Sequence, residues 1–143
     1  MDNYMELKVN AVLENEAFVR NTVAAFAASC DPSIEVLGDI KTAVSEAISN
    51  CIVHAYKNRG GEIIVKATLS ENKLHIGIID GGVGIPDIKK AREAYYTTAT
   101  SGERAGIGFT VMEAFMDKVK VRSRLGHGTS VTLEKTILSK GAE

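Results

Sequence analysis

The sequence predicts an α+β domain: a two-layer sandwich in which helices cover one face of a mostly antiparallel, mixed sheet. Two observations predict it. The apolar period is helical through the first part of the chain and changes after Gly61 to short, β-rich segments. Those segments come in pairs separated by helical stretches, without the regular alternation of strand and helix that builds a parallel sheet. At 143 residues, 45% hydrophobic and 24% charged, the chain is the size of one domain with one core. No repeat, linker or low-complexity stretch divides residues 1–143.

"MELKVNA" alternates well enough for a strand, and "ENEAFVRNTVAAFAAS" follows with Phe18, Thr22, Val23 and Phe26 at helical spacing. The proline and serine of "CDPS" suit a helix start. "IEVLGDIKTAVSEAISNCIVHAYKN" then repeats apolar residues at Val44, Ile48, Cys51 and Ala55, a longer helix with Gly38 as a weak point. Gly60 and Gly61 of "NRGG" end it, since glycine takes left-handed backbone at little steric cost. "EIIVKATLS" and "KLHIGIID", parted by "ENK", read as an antiparallel hairpin. "PDIKKAREAYY" suits a short helix, and "TTATSGERAGIG" lacks any period and reads as a long loop. Helical spacing returns in "IGFTVMEAFMDK" through Ile107, Val111, Met112 and Phe115. "VKVRS" and "TSVTLEKTI", joined across "RLGHG", close the chain with a second hairpin.

Seventeen basic against eighteen acidic residues leave a net charge of -1, so the chain carries no electrostatic footprint for direct nucleic-acid binding. No apolar run reaches the roughly 20 residues that span a bilayer, and "MDNYMELKVN" lacks the basic and apolar regions of a signal peptide. The expectation is a cytoplasmic protein without a membrane partner. Cys30 and Cys51 have no CxxC or His-rich neighbourhood and read as buried, reduced thiols.

Three stretches carry candidate chemistry. Glu46, Asn50 and His54 fall four residues apart, a step that drifts only about 40° around a helix, so they share one face. A solvated polar stripe is one reading. The otherwise apolar helix favours another, because a carboxylate and an amide on a buried helix need partners. An amide oxygen suits magnesium beside phosphates, and a Glu one turn away suits a base. In "IIDGGVGIPD", Asp80 ends a strand and Gly82 and Gly84 let the backbone turn sharply: a corner, or a site whose aspartate accepts from an exocyclic amine. The fragment does not match GxGxxG, which disfavours a Rossmann site. "SGERAGIGF" sets Gly106 and Gly108 before a helix, an ordinary loop or an anion site to which Arg104 adds charge. Walker A and eukaryotic protein-kinase signatures are absent. Thr129 of "GHGTSV" is either a strand residue or a hydroxyl that reaches a ligand.

Taken in order, ExxxN on a helix, DxGxG after a strand, GxG before a helix and GxGT in a hairpin resemble the Bergerat-type ATP-binding fold of gyrase B, Hsp90, histidine kinases and MutL. The resemblance covers nearly the whole chain. "EAISNCIVHAY", "DGGVGIPD" and "ERAGIGFTVMEAFMD" are most similar to the bacterial anti-sigma factors that are also serine kinases, in their sporulation branch. That resemblance implies ATP and Mg2+ as cofactors, Glu46 as catalytic base, Asn50 as the magnesium ligand, and His54 near the phosphates. It implies Asp80 on the adenine amino group, with Gly82, Gly84 and Thr129 shaping the pocket. Gly106 and Gly108 would wrap the phosphates, Arg104 would approach the γ-phosphate, and residues 97–105 would form a nucleotide lid.

Two positions depart from the family pattern: Cys51 stands where alanine is common, and Gly81 where a charged or polar residue is frequent. Neither removes a ligand. The resemblance further implies a homodimer that holds a sigma factor of the sporulation sigma-F kind and phosphorylates a serine on an anti-anti-sigma protein. Glu16 and Arg20 of "ENEAFVR" would be partner contacts, or else a surface ion pair at i, i+4. Two other functions fit the same residues. One is a general-stress-type anti-sigma kinase with different partners; the other is a non-catalytic module that binds ATP and holds sigma.

Overall fold

The computed structural model of the chain describes residues 2–85 and 103–137. The expected short helix at residues 86–96 and the lid residues 97–102 lie outside the described residues. Among the described residues, five strands and three α-helices follow in the order β1 (Asn3–Asn10), α1 (Glu14–Ala27), α2 (Ile34–Asn50), β2 (Glu62–Ser70), β3 (Lys73–Asp80), α3 (Glu103–Phe115), β4 (Lys118–Arg124) and β5 (Gly128–Thr136). The strands form one sheet in the order β1-β2-β3-β5-β4. All four pairings are antiparallel, so among the described residues the sheet contains no parallel pair.

Alternation fixes which side of each strand meets the helices. Ile63, Val65, Ala67 and Leu69 of β2 and Leu74, Ile76 and Ile78 of β3 face inward and are buried. They meet Val19, Val23 and Ala27 of α1, Ile40, Val44 and Ile48 of α2, and Met112 of α3 in one core. The hairpin between β2 and β3 turns through Glu71 and Asn72, whose φ of 54° and 64° give the two left-handed residues that such a tight turn needs. Edge strand β4 carries Lys118, Lys120, Arg122 and Arg124 on exposed positions, and charges of one sign along an edge discourage a foreign strand from pairing there.

Three features differ from the sequence reading. In α1 the buried stripe runs through Val19, Val23 and Ala27, while Phe18 is about half exposed; the helix is rotated toward its smaller residues, which pack closer to α2. Helix α2 starts as expected, with the Ser33 hydroxyl accepting from the Val36 N–H at 3.1 Å, and runs unbroken past Gly38. Its end comes early. A π-helical turn, Cys51–Ala55, replaces the last α turn, and the left-handed residues that follow are Lys57, Asn58 and Gly60. Gly61 serves differently, because a Cβ there would strike the Tyr56 ring.

The third difference is the start of α3. It begins at Glu103 rather than Ile107, so Glu103, Arg104 and Ala105 of the expected loop are helical. Glutamate, arginine and alanine are all good helix formers, and an acidic first residue suits the positive end of the helix dipole. The two glycines expected before the helix, Gly106 and Gly108, therefore lie inside it.

Candidate nucleotide site

Glu46 and Asn50 lie on α2, and His54 follows on the π turn, all three half-buried. The opposite side of the helix buries Val44, Ala47, Ile48 and Cys51, so packing fixes the orientation of the polar face. The π turn is held by a bond from the Tyr56 N–H to the Cys51 carbonyl, 3.0 Å, and by one from the Asn58 N–H to the Ile52 carbonyl, 2.9 Å. A single π turn within a helix is frequently found at functional sites. Here it presents the Ala55 carbonyl to the Val83 N–H, 3.1 Å away.

Asp80 is the last residue of β3, opposite Ile63 on one side and Thr129 on the other, and its side chain points into the protein, 7% exposed. Its Oδ1 accepts from the Gly82 N–H at 2.9 Å and from the Thr129 N–H at 3.2 Å. Its Oδ2 accepts from the Cys51 thiol, 3.5 Å away. Burial pushes the Asp80 carboxyl above its ordinary value; the Gly82 N–H, the Cys51 thiol and the Thr129 N–H pull it back. Burial, then the charge and hydrogen bond of Asp80, push the Cys51 thiol well above the usual range, so it stays protonated and donates. One carboxylate oxygen is thus committed to backbone. The other keeps acceptor capacity for an external N–H.

The loop after β3 needs its glycines for contact. A Cβ on Gly82 would overlap the Ala55 carbonyl, and one on Gly84, at φ 80°, would meet the Arg124 carbonyl at 2.5 Å. The Gly126 N–H donates to the Val83 carbonyl at 2.8 Å, so the tip of the β4–β5 hairpin clasps this loop. Ser123 completes the clasp: its Oγ accepts from the Ile85 N–H at 2.7 Å and donates to the Gly128 carbonyl at 3.0 Å. With that proton committed, the Thr129 hydroxyl donates across the 2.8 Å to Ser123, while Thr129 meets Asp80 through its backbone. Tyr56 is the other tie, accepting from the Gly81 N–H and donating to the Glu62 carbonyl, both at 2.6 Å.

At this same C-terminal end of α2, Gly108 of α3 lies against Asn50: a Cβ there would stand 3.0 Å from Nδ2 and 3.1 Å from Oδ1. Glycine lets α3 approach this amide. Arg104 and Gly106 belong to the α3 backbone, and the Arg104 side chain lies outside the described residues. A cleft of about 330 Å3 opens between α1 and α2, lined by Arg20, Asn21, Lys41, Thr42, Ser45 and Glu46. It reaches Glu46 and not Asp80. On its rim Arg20 stands 3.6 Å from Glu16 at i, i+4, and the other Glu16 oxygen accepts from the Ser45 hydroxyl. The pair is therefore tied to α2 and half-buried rather than a solvated surface pair.

The structure brings Asp80, Gly82, Gly84 and Thr129 together, places Glu46 and Asn50 on α2, and sets Gly108 of α3 against Asn50. Sequence reasoning missed Ser123 and Tyr56, which bond to a loop distant in sequence and carry no spacing signal. It noted Cys51 as a departure in the family pattern; its contact with Asp80 was not foreseen. No helix among the described residues is long and apolar enough to cross a membrane.

Comparison with known proteins agrees with this fold. Residues 9–135 match the family model of the histidine kinase-like ATPase domain. The chain is 52% identical over 136 residues to the Anti-sigma F factor of Caldanaerobacter subterraneus subsp. tengcongensis, covering 95% of each. It is 53% identical over 135 residues to the Anti-sigma F factor of a Thermoanaerobacter species, covering 94% of each. Among solved structures, the RsbU and RsbW domains of Rv1364c from Mycobacterium tuberculosis share the fold at a TM-score of 0.65 and 20% identity, over 94% of this chain and 32% of that one. The chain spans about a third of that larger protein. With a five-stranded antiparallel sheet covered by three helices among the described residues, a family model matched over residues 9–135 and relatives about half identical over nearly their full length, the chain belongs to the histidine kinase-like ATPase family, alongside the anti-sigma F factors.

Proposed function

We propose that the chain is an anti-sigma factor of the sigma-F kind that binds ATP with Mg2+ and phosphorylates a serine of an anti-anti-sigma protein. The observation that carries this reading is the Asp80 carboxylate, buried at the end of β3 with Oδ1 bound by two backbone N–H groups and Oδ2 retaining acceptor capacity beside the helix that bears Glu46 and Asn50. Such an oxygen suits the amino group of adenine. Gly82, Gly84 and Thr129 would shape that end of the pocket, and His54, Gly106, Gly108 and Arg104 would serve the phosphate end.

The residues fit a divalent cation in one way. Among the described residues no three His, Cys, Asp or Glu gather, so Asn50 would hold Mg2+ together with phosphate oxygens and water, the mode in which magnesium is ordinarily bound. Bound to ATP, the ion would neutralise charge on the transferred phosphoryl group. Glu46 would take the proton of the acceptor serine as its oxygen bonds to phosphorus and ADP leaves. Glu16 and Arg20, on the rim of the cleft that reaches Glu46, would meet the protein partners of a homodimer in the cytoplasm.

Incubation with labelled ATP, Mg2+ and a candidate anti-anti-sigma protein tests this, with label expected on a serine. Glu46→Gln should abolish the transfer and keep ATP binding. ATP binding and sigma capture without transfer by the parent protein would make the chain a non-catalytic sigma-binding module instead.

A further inference from the structure

The Cys51 thiol does something that none of the proposed ligands does: it touches the one oxygen of Asp80 left over by the backbone. Its Sγ lies 3.5 Å from Oδ2, while Oδ1 is held by the Gly82 and Thr129 N–H groups. Cys51 is 3% exposed, the first residue of the π turn, and its thiol is a protonated donor. A carboxylate fixed at Oδ1 alone can still pivot about that point. A third donor at Oδ2 sets the plane of the group and occupies one of the two lone pairs.

We propose that Cys51 is a positioning residue for the nucleobase: its S–H bond holds the Asp80 carboxylate in the one orientation that leaves the outer lone pair of Oδ2 for an amino donor. The inference rests on the ATP reading above and deepens it into base selectivity. An ionised Asp80 accepts from the exocyclic amine of adenine and repels the carbonyl oxygen that guanine carries at the same ring position. Without the thiol, the buried carboxyl protonates more readily and can turn, and a carboxylic acid donates to a carbonyl. Selection between the two bases then weakens.

Titration of the full chain with ATP and with GTP, for the parent, Cys51→Ala, Cys51→Ser and Asp80→Asn, separates the possibilities. The expected result is that Cys51→Ala loses about fivefold in ATP affinity, the scale of one hydrogen bond, while GTP affinity holds or rises, so the ATP-to-GTP ratio falls. Cys51→Ser, which keeps a donor, should restore the ratio to within about twofold of the parent. Should Cys51→Ala fail to fold, Cys51→Val removes the donor at larger volume and carries the same comparison. A donorless variant with the parent's ATP affinity and ratio overturns the proposal, as does failure of Cys51→Ser to recover the ratio. Equal ATP affinity in the parent and Asp80→Asn overturns the adenine reading itself, and is distinguishable because Asp80→Asn does not involve Cys51.

Discussion

Lys135 on β5 reaches Asp39 on α2, its ammonium group 3.1 Å from the carboxylate, and the same group donates to the Phe115 carbonyl at 2.6 Å. One side chain therefore joins the sheet, the long helix and the end of α3, where a cation satisfies a terminal carbonyl. Both partners are mostly shielded from water, with side chains 13% and 22% exposed. Lys135→Met should cost about 1–2 kcal/mol by urea denaturation, since it leaves a carbonyl and a carboxylate without their donor. ATP affinity should not change, because none of these groups touches Asp80.

Asp80→Asn should weaken ATP binding by about tenfold or more, measured by titration calorimetry. The amide keeps an oxygen for Gly82 and Thr129 but turns an N–H toward the position where the ligand's amine donates.

The same substitution has a pH signature of definite sign. Burial raises the Asp80 carboxyl above the unfolded value of about 3.9, so between those two points the folded chain holds a proton that the unfolded chain has released. Its contribution to stability falls as pH rises through its folded pKa. Asp80→Asn should therefore gain on the parent as pH rises over that interval, read from the urea midpoint.

Glu134 runs the other way. Desolvation opposes its charge, but the His75 ring, 2.7 Å away, and the charges of Lys73, Lys118 and His75 outweigh it and hold the carboxyl below its ordinary value. Its stabilisation is present above the unfolded value of about 4.3 and is lost as pH falls through the lowered folded value. Glu134→Gln should cost stability near neutral pH and nothing below that interval.

Two glycines predict opposite effects of one substitution. At Gly128, φ is 104° and a Cβ would drive into the Asp80 carbonyl, so Gly128→Ala should cost about 2 kcal/mol or more and loosen the nucleotide pocket. At Gly38, within α2, a Cβ meets nothing within 4 Å. Gly38→Ala should stabilise by about 0.5–1 kcal/mol, visible as a higher thermal midpoint.

Periodicity read the two hairpins and the start of the long helix correctly, because each is a local property of spacing. It misjudged Phe18, since the choice between Phe18 and Val19 as the buried residue depends on how closely α1 approaches α2. The start of α3 was misread because two glycines masked helix formers just ahead of them. Cys51, Tyr56 and Ser123 were illegible as parts of the site for one shared reason: each acts through a partner far along the chain. Even Thr129, singled out from the sequence, meets Asp80 by its backbone, which no side-chain pattern encodes.

The distances along the chain that hide those contacts also set when they form. Cys51 and Thr129 converge on Asp80 across 29 and 49 residues, and the clasp at Ser123 joins a loop 38 residues away. Closing such long loops is slow relative to forming the local β2–β3 hairpin or the helices. The pocket, whose Asp80–Thr129 contact belongs to the β3–β5 pairing, is therefore expected to form after the local hairpin and helices. A nucleotide that recognises only the finished pocket cannot speed the approach to the folded state; it acts on escape from it. In stopped-flow experiments, ATP should leave the refolding rate of this chain unchanged and slow its unfolding.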